Sequence, residues 1–251
     1  MEATVSDDAV KTKVIGFVWQ HILLVISLFV MTLGVALSVR SALGSSVIST
    51  IPFVMELAGD AGMIPPLTIG EWTYVMNFIL VGLQLLILRR RFEPVQFFQL
   101  LIGFFFGWLL DLNMSLTSGL DLSTTVAQIT AQAIGCTVLG FGIAMEVKCG
   151  SVTMPGEGLP AAISKLTGKP FAKIKIRVDI ALVVGAVALG YLFFGRWLWN
   201  VVGPGTLFAM IYVGWAVKQI APRMKWFDRL LNYRPGFRRY IYGLARYIRR
   251  G

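Results

Sequence analysis

Residues 146–160 read EVKCGSVTMPGEGLP and set two carboxylates, Glu146 and Glu157, one ammonium, Lys148, and the helix breakers Gly156 and Pro160 between two long apolar runs. Residues 38–53, SVRSALGSSVISTIPF, have a related make-up: one cation, Arg40, then Gly44, Ser45, Ser46 and Pro52. These residue types suit solute recognition better than bond making. Cationic heads supply counter-charge, and a carboxylate beside hydrocarbon suits proton or cation coupling. An interrupted helix offers free N–H groups that favour anions. Asn77 and Asp179, polar residues inside later apolar runs, complete the pathway candidates.

Each candidate has a plainer use. Arg40 and Lys148 can snorkel to headgroups. Glu146 or Glu157 can form a single salt bridge with Lys148, and Lys175 or Arg177 can neutralise Asp179. Enzyme chemistry is not expected. The one histidine, His21, leaves no second member for a metal site or a Ser-His triad. TGKP at 167–170 resembles the end of a phosphate loop but lacks its upstream glycine and its Ser or Thr after the lysine. Cys136 and Cys149 match no metal or redox spacing. No cofactor and no metal are expected.

The elements that carry these residues are membrane helices. The chain is 56% apolar and 14% charged, with a mean hydropathy of +0.73, against about 25% charged residues in a soluble domain. Apolar blocks of spanning length lie near 20–39, 69–88, 95–112, 126–147, 174–194 and 203–220. Unpaired backbone is not tolerated in lipid, so each block is expected to be an α-helix.

Sorting the cations by loop gives an orientation. Of the 23 Lys and Arg, 21 fall in the N-terminus, Arg89–Arg91, the segment from Lys148 to Arg177 and residues 218 onward, all on one side of a six-helix arrangement. Arg40 and Arg196 are left for the other side. Both termini are therefore expected in the cytoplasm. The net charge of +10 reads as topology, not as nucleic-acid binding.

The chain also repeats itself. GVALSVR at 34–40 aligns with GIAMEVK at 142–148 at an offset of 108, which carries Pro52 onto Pro160 and Arg40 onto Lys148. FGW at 106–108 aligns with VGW at 213–215. Asn77 and Asp179 hold similar places in the second helix of each half. Three helices per half is odd, so the second half enters from the opposite face: a 3+3 inverted-topology repeat, residues 20–112 and 126–220. Residues 1–19 are then a cytoplasmic N-terminus, 113–125 an extracytoplasmic linker and 221–251 a basic cytoplasmic tail. Ala36-Leu37-Ser38 loosely resembles a signal cleavage site, but cutting there would remove a helix from the repeat.

After the first helix of each half comes a broken segment, 41–59 and 149–168, with an apolar stretch too short to span. Such segments either dip into the protein as half-helices or lie flat at the interface. Gly103 and Gly107, with Gly135, Gly140 and Gly142, permit close helix approach inside the monomer or in a homodimer. In PGFRRYIYGLARYIRRG, residues 235–251, apolar and arginine positions alternate at helical spacing, as in an amphipathic helix, and residues 223–251 are expected to meet anionic inner-leaflet lipid.

GVALSVRSALGSSVISTIPF (34–53), Thr68–Gly70 and FFQLLIGFFFGWLLDL (97–112) resemble the YczE/YyaS/YitT group of bacterial integral membrane proteins, over about residues 34–220. The resemblance implies a plasma-membrane protein of about six helices and brings no settled substrate. Some members append a soluble C-terminal domain, where this sequence has a short basic tail. The expected function is a secondary transporter or facilitator of a small polar or anionic solute. The alternative is a non-transporting scaffold or accessory subunit of a membrane complex.

Overall fold

The computed structural model describes residues 2–150 and 154–232, with side chains from Val14 onward. Regular structure in these residues is helical: α1 (Glu2–Arg40), α2 (Thr50–Asp60), α3 (Ile69–Leu88), α4 (Phe98–Leu116), α5 (Thr125–Cys149), α6 (Pro155–Thr167), α7 (Phe171–Phe194), α8 (Pro204–Ile220) and α9 (Lys225–Asn232). Five helices are long and apolar enough to cross a membrane, over Val14–Arg40, Ile69–Arg91, Pro94–Leu116, Thr125–Cys149 and Phe171–Phe194. The block expected at 203–220 forms α8, whose 17 residues make it shorter than these five. The expected amphipathic helix at 235–251 lies outside the described residues, but α9, unmarked in the sequence, does not. Its Phe227 is fully buried against the α1 and α5 side of the bundle.

Local chemistry fixes the helix ends. Thr68 and Glu71 form a reciprocal capping box at the start of α3, and the Thr124 side chain caps α5. Pro155 and Pro204 open α6 and α8, where the missing N–H costs nothing. The 11 residues of α2 and 13 of α6 rise only about 17–20 Å, too little for a hydrocarbon core of about 30 Å.

The centre is the crossing of α1 and α5, where Leu28, Val35 and Ala36 are buried with Leu139, Ala144 and Met145. As α1 runs forward α5 runs back: Ser27 meets Cys149, Gly142 meets Met31, Gly34 meets Leu139, and Ser41 meets Gln132. The two helices are antiparallel. A Cβ on Gly34 would lie 2.8 Å from Leu139 Cα, and one on Gly142 would lie 2.9 Å from Met31 Cα. Only glycine lets the backbones approach so closely.

The remaining contacts come in matched pairs. α4 packs on α1 as α8 packs on α5, α2 packs on α3 as α6 packs on α7, and α2 reaches α7 as α6 reaches α3. α5 and α8 run parallel, through Gln132–Gly205, Thr137–Tyr212 and Gly140–Ala216. One pairing is lopsided: α3 lies along α4, antiparallel, whereas α7 and α8 touch little.

Candidate functional site

The first break begins where α1 ends at Arg40. Ala42 and Gly44 take positive φ angles of 57° and 116°, so the chain leaves the helix sharply. At Gly44 a side chain is excluded twice, by the backbone angle and by Thr206 Oγ1, 2.5 Å from a would-be Cβ. Ser45 then donates to the Val201 carbonyl from both its N–H (2.9 Å) and its Oγ (3.1 Å), and Leu43 O accepts from Gly205 N at 2.8 Å. Beneath this seam Gln132 accepts from Ser38 and Ser41 (3.1 and 2.8 Å) and donates to Gly205 O (2.8 Å). Ser46 turns inward to Ser49 at 2.8 Å, and Pro52 is buried in α2. The first break is thus fastened to the N-terminus of α8.

The second break is fastened to the other half. α5 closes on Gly150 in the left-handed conformation, and Met154 N–H then donates to Glu146 Oε1 at 3.2 Å. Gln84 of α3 and Gln99 of α4 exchange two hydrogen bonds of 3.0 and 3.1 Å directly under Gly158, and Gln84 Nε2 reaches Pro155 O at 3.5 Å. Pro160 is buried inside α6.

The breaks meet. A Cβ on Gly156 would collide with the Ile48 side chain, and these two residues are separated by 108, the offset of the sequence repeat. Around this contact Met76, Leu80 and Leu159 are buried together, flanked by Ile48, Ile51, Ile163, Val178 and Leu182. The ground between the breaks is filled with apolar side chains. To one side, a void of about 10 Å³ lined by Val54, Ala186 and Val201 is no larger than one water.

Polar groups surround this plug. Asn77 is fully buried opposite Gly103, and neither its Oδ1 nor its Nδ2 has a hydrogen-bond partner among the described residues. An unmade bond of this kind costs about 1–3 kcal/mol. Glu146 is 5% exposed, and its Oε2 is likewise unpartnered. Lys148 does not serve it: the ammonium is bound by both carboxylate oxygens of Asp228 in α9, at 2.6 and 2.7 Å. The plainer alternative, a salt bridge of Glu146 or Glu157 with Lys148, gives way to this one, because α9 meets the end of α5. Lys175 Nζ holds Asp179 at 2.6 Å, one turn apart on α7, as its neighbourhood in sequence suggested. Glu157, partly buried, lies within the field of Glu146 on one side and of Lys175 and Asp179 on the other. Burial pushes its carboxyl above the usual carboxylate range, Lys175 pulls it down, and Asp179 pushes it up.

At the opposite end of the bundle Arg40 donates to Met114 O at 2.8 Å. Three carboxylates gather at the N-terminus of α3: Glu56 accepts from Ile69 N (3.0 Å), Asp111 from Gly70 N (2.8 Å) and Glu71 from Thr68 N (2.9 Å). Burial pushes Glu56 up to about 6, against the pull of the Ile69 N–H.

The candidates therefore separate into groups. Gly156 and Pro160 lie where the breaks meet, and Asn77 lies on the adjacent α3. Glu146, Glu157 and Asp179 form an acidic group beside them. Gly44, Ser45 and Ser46 shape the first break, while Arg40 and Lys148 bind separate partners. The sequence reading passed over Gln84, Gln99, Gln132 and Ile48. The three glutamines had a usable signal, since lone amides in apolar helices hydrogen-bond across helix interfaces. Ile48 had none beyond its offset from Gly156.

Residues 18–222 match a family described as "Family of unknown function (DUF6198)". The chain is 24% identical over 168 residues to "Uncharacterized membrane protein YczE" of Bacillus subtilis (strain 168), an alignment covering 66% of this chain and 70% of that protein. No solved structure matches.

Proposed function

The chain belongs to the DUF6198 family and is similar to YczE, and on that premise we propose that it is a secondary transporter or facilitator of a small polar solute. The observation that carries this reading is the contact of the two helix breaks at Ile48 and Gly156. Transporters built from inverted repeats place solute and coupling-ion sites where discontinuous helices of the two halves meet. The antiparallel crossing of α1 and α5 supports such a repeat. So do the reciprocal Gly34–Leu139 and Gly142–Met31 contacts, which exchange when the halves are exchanged. With a rise of about 1.5 Å per residue, the 17 residues of α8 reach close to hydrocarbon thickness and serve as the sixth span. The cation count supports cytoplasmic termini, and residues 223–251 carry the basic charge suited to anionic lipid.

The conformation described here is closed, with Ile48, Leu159, Met76 and Leu80 as the plug. The unpartnered amide of Asn77 is a polar group that a solute or water reaches once the plug parts. An anion is the poorer fit at the second break, because the N–H of Met154, the residue just before α6, is already taken by the Glu146 carboxylate. The test is flux of polar solutes into proteoliposomes, comparing wild type with Gly156→Val, which drives a branched side chain into Ile48. Saturable uptake of at least one solute that Gly156→Val abolishes is the expected result. Absence of saturable uptake across neutral, cationic and anionic solutes would leave the second reading, a scaffold, which the solid apolar packing between the breaks favours.

A further inference from the structure

The charges around the second break do not balance. Glu146 accepts from Met154 N–H, and Glu157 N–H donates to Met154 O, so both carboxylates belong to the start of α6 and feel one another's charge, with Asp179 and Lys175 of α7 acting on Glu157. Lys175, which acts on Glu157, is held by Asp179, and Lys148, two residues after Glu146, is held by Asp228. That step turns Lys148 about 200° around α5. The Cys149 thiol of the same helix is turned to Ser27 Oγ, at 3.9 Å. Four groups, Glu146, Glu157, Asp179 and Lys175, thus offer three carboxylates to one ammonium. One carboxylate oxygen, Glu146 Oε2, is buried without a hydrogen-bond donor among the described residues. Removing a charge from water costs several kcal/mol unless it is paired. Two carboxylates sharing one buried site do not both remain ionised without a cation.

We propose that Glu146 and Glu157 form a binding site for a monovalent cation, a proton or an alkali metal ion, with Glu146 Oε2 as its open ligand. Glu146 Oε1 is held by the N–H of Met154, the residue just before α6, which leaves Oε2 as the oxygen without a donor among the described residues. The site joins the end of α5 to the start of α6, so occupancy changes the cost of separating them. Its use for coupling rests on the transport reading; its occupancy does not.

The test reads occupancy on the full chain in lipid nanodiscs, without turnover. Thermal stability is followed through a pH titration at fixed salt and through a sodium-for-choline titration at fixed pH. A ligand near 100 times its dissociation constant raises the midpoint by about 5–10 °C. Wild type is expected to gain this shift on acidification if the ligand is a proton, or with sodium if it is an alkali ion. With Glu56→Gln present in every protein to remove the acid response of Glu56, Glu146→Gln is expected to lose it, and the exposed variant Asp121→Asn, in the loop before α5, to keep it. Should Glu146→Gln not fold, Glu157→Gln decides by the same criterion. Infrared difference spectra across the effective titration should show a carboxyl band in wild type that the glutamine variant lacks. A wild type insensitive to both titrations, or a glutamine variant that keeps the full response, overturns the proposal. Ion binding without solute flux would instead remove only the transport reading.

Discussion

Asn77 and Glu56 illustrate two ways in which a buried polar side chain departs from plain structural use. Asn77 gives up both amide hydrogen bonds in the described structure. Replacement by an apolar side chain of similar size should therefore stabilise the protein by about 1–3 kcal/mol. Asn77→Leu is expected to raise the thermal midpoint and, under the transport reading, to cut solute flux; a lowered midpoint would show that the amide has a partner. Glu56 carries the opposite kind of cost. Burial raises it from 4.5 to about 6, so between these values the folded protein binds more protons than the unfolded chain, and stability falls as pH rises. Glu56→Gln should flatten that decline between 4.5 and about 6, measured by chemical denaturation in lipid at several pH values. A decline as steep as wild type's would assign it to another group. The two residues differ in how far the sequence marked them. Asn77 was visible as an amide in an apolar run, but its lack of a partner depends on Gly103 of α4, a fact of packing. Glu56 carried no such mark in the sequence, since its burial depends on α3, whose Ile69 N–H it accepts from.

At the scale of elements, α1 and α5 make the sharpest claim. Gly34 and Gly142 occupy equivalent positions and meet each other's helices at nearly the same distance, 2.8 and 2.9 Å from a would-be Cβ. Gly34→Ala and Gly142→Ala should each cost about 1–3 kcal/mol by overpacking, and the two losses should be alike. Gly82→Ala, with nothing within 4 Å, should be neutral or slightly stabilising. Unequal losses at 34 and 142, measured by thermal or denaturant unfolding in lipid, would contradict an equivalent crossing. The helices themselves were legible because lipid demands long apolar runs, and the glycine and proline breaks were legible because those residues punctuate helices. What each break grips was not. The seam from Ser45 to Val201 joins residues 156 apart, and Gln84 gains its place under Gly158 only through the fold. Asp228 escaped notice for a similar reason: nothing near it in sequence says that α9 turns back to meet Lys148.

For the whole molecule, the proposed transport needs an opening on alternate sides, with the apolar plug between the breaks as its gate. A scaffold needs no such opening. The two readings differ in what happens at Leu159 and Ile48, which pack together with Met76 and Leu80. The direct measurement is labelling by a membrane-impermeant thiol reagent, from each side in turn, of single cysteines at Ile48 and Leu159, in a background with Cys136 and Cys149 replaced by serine. The account predicts that each position reacts from both sides, with slow and mutually exclusive kinetics. If neither position reacts from either side while a cysteine in the exposed loop at Gly62 does, the plug does not open and the transport account is wrong.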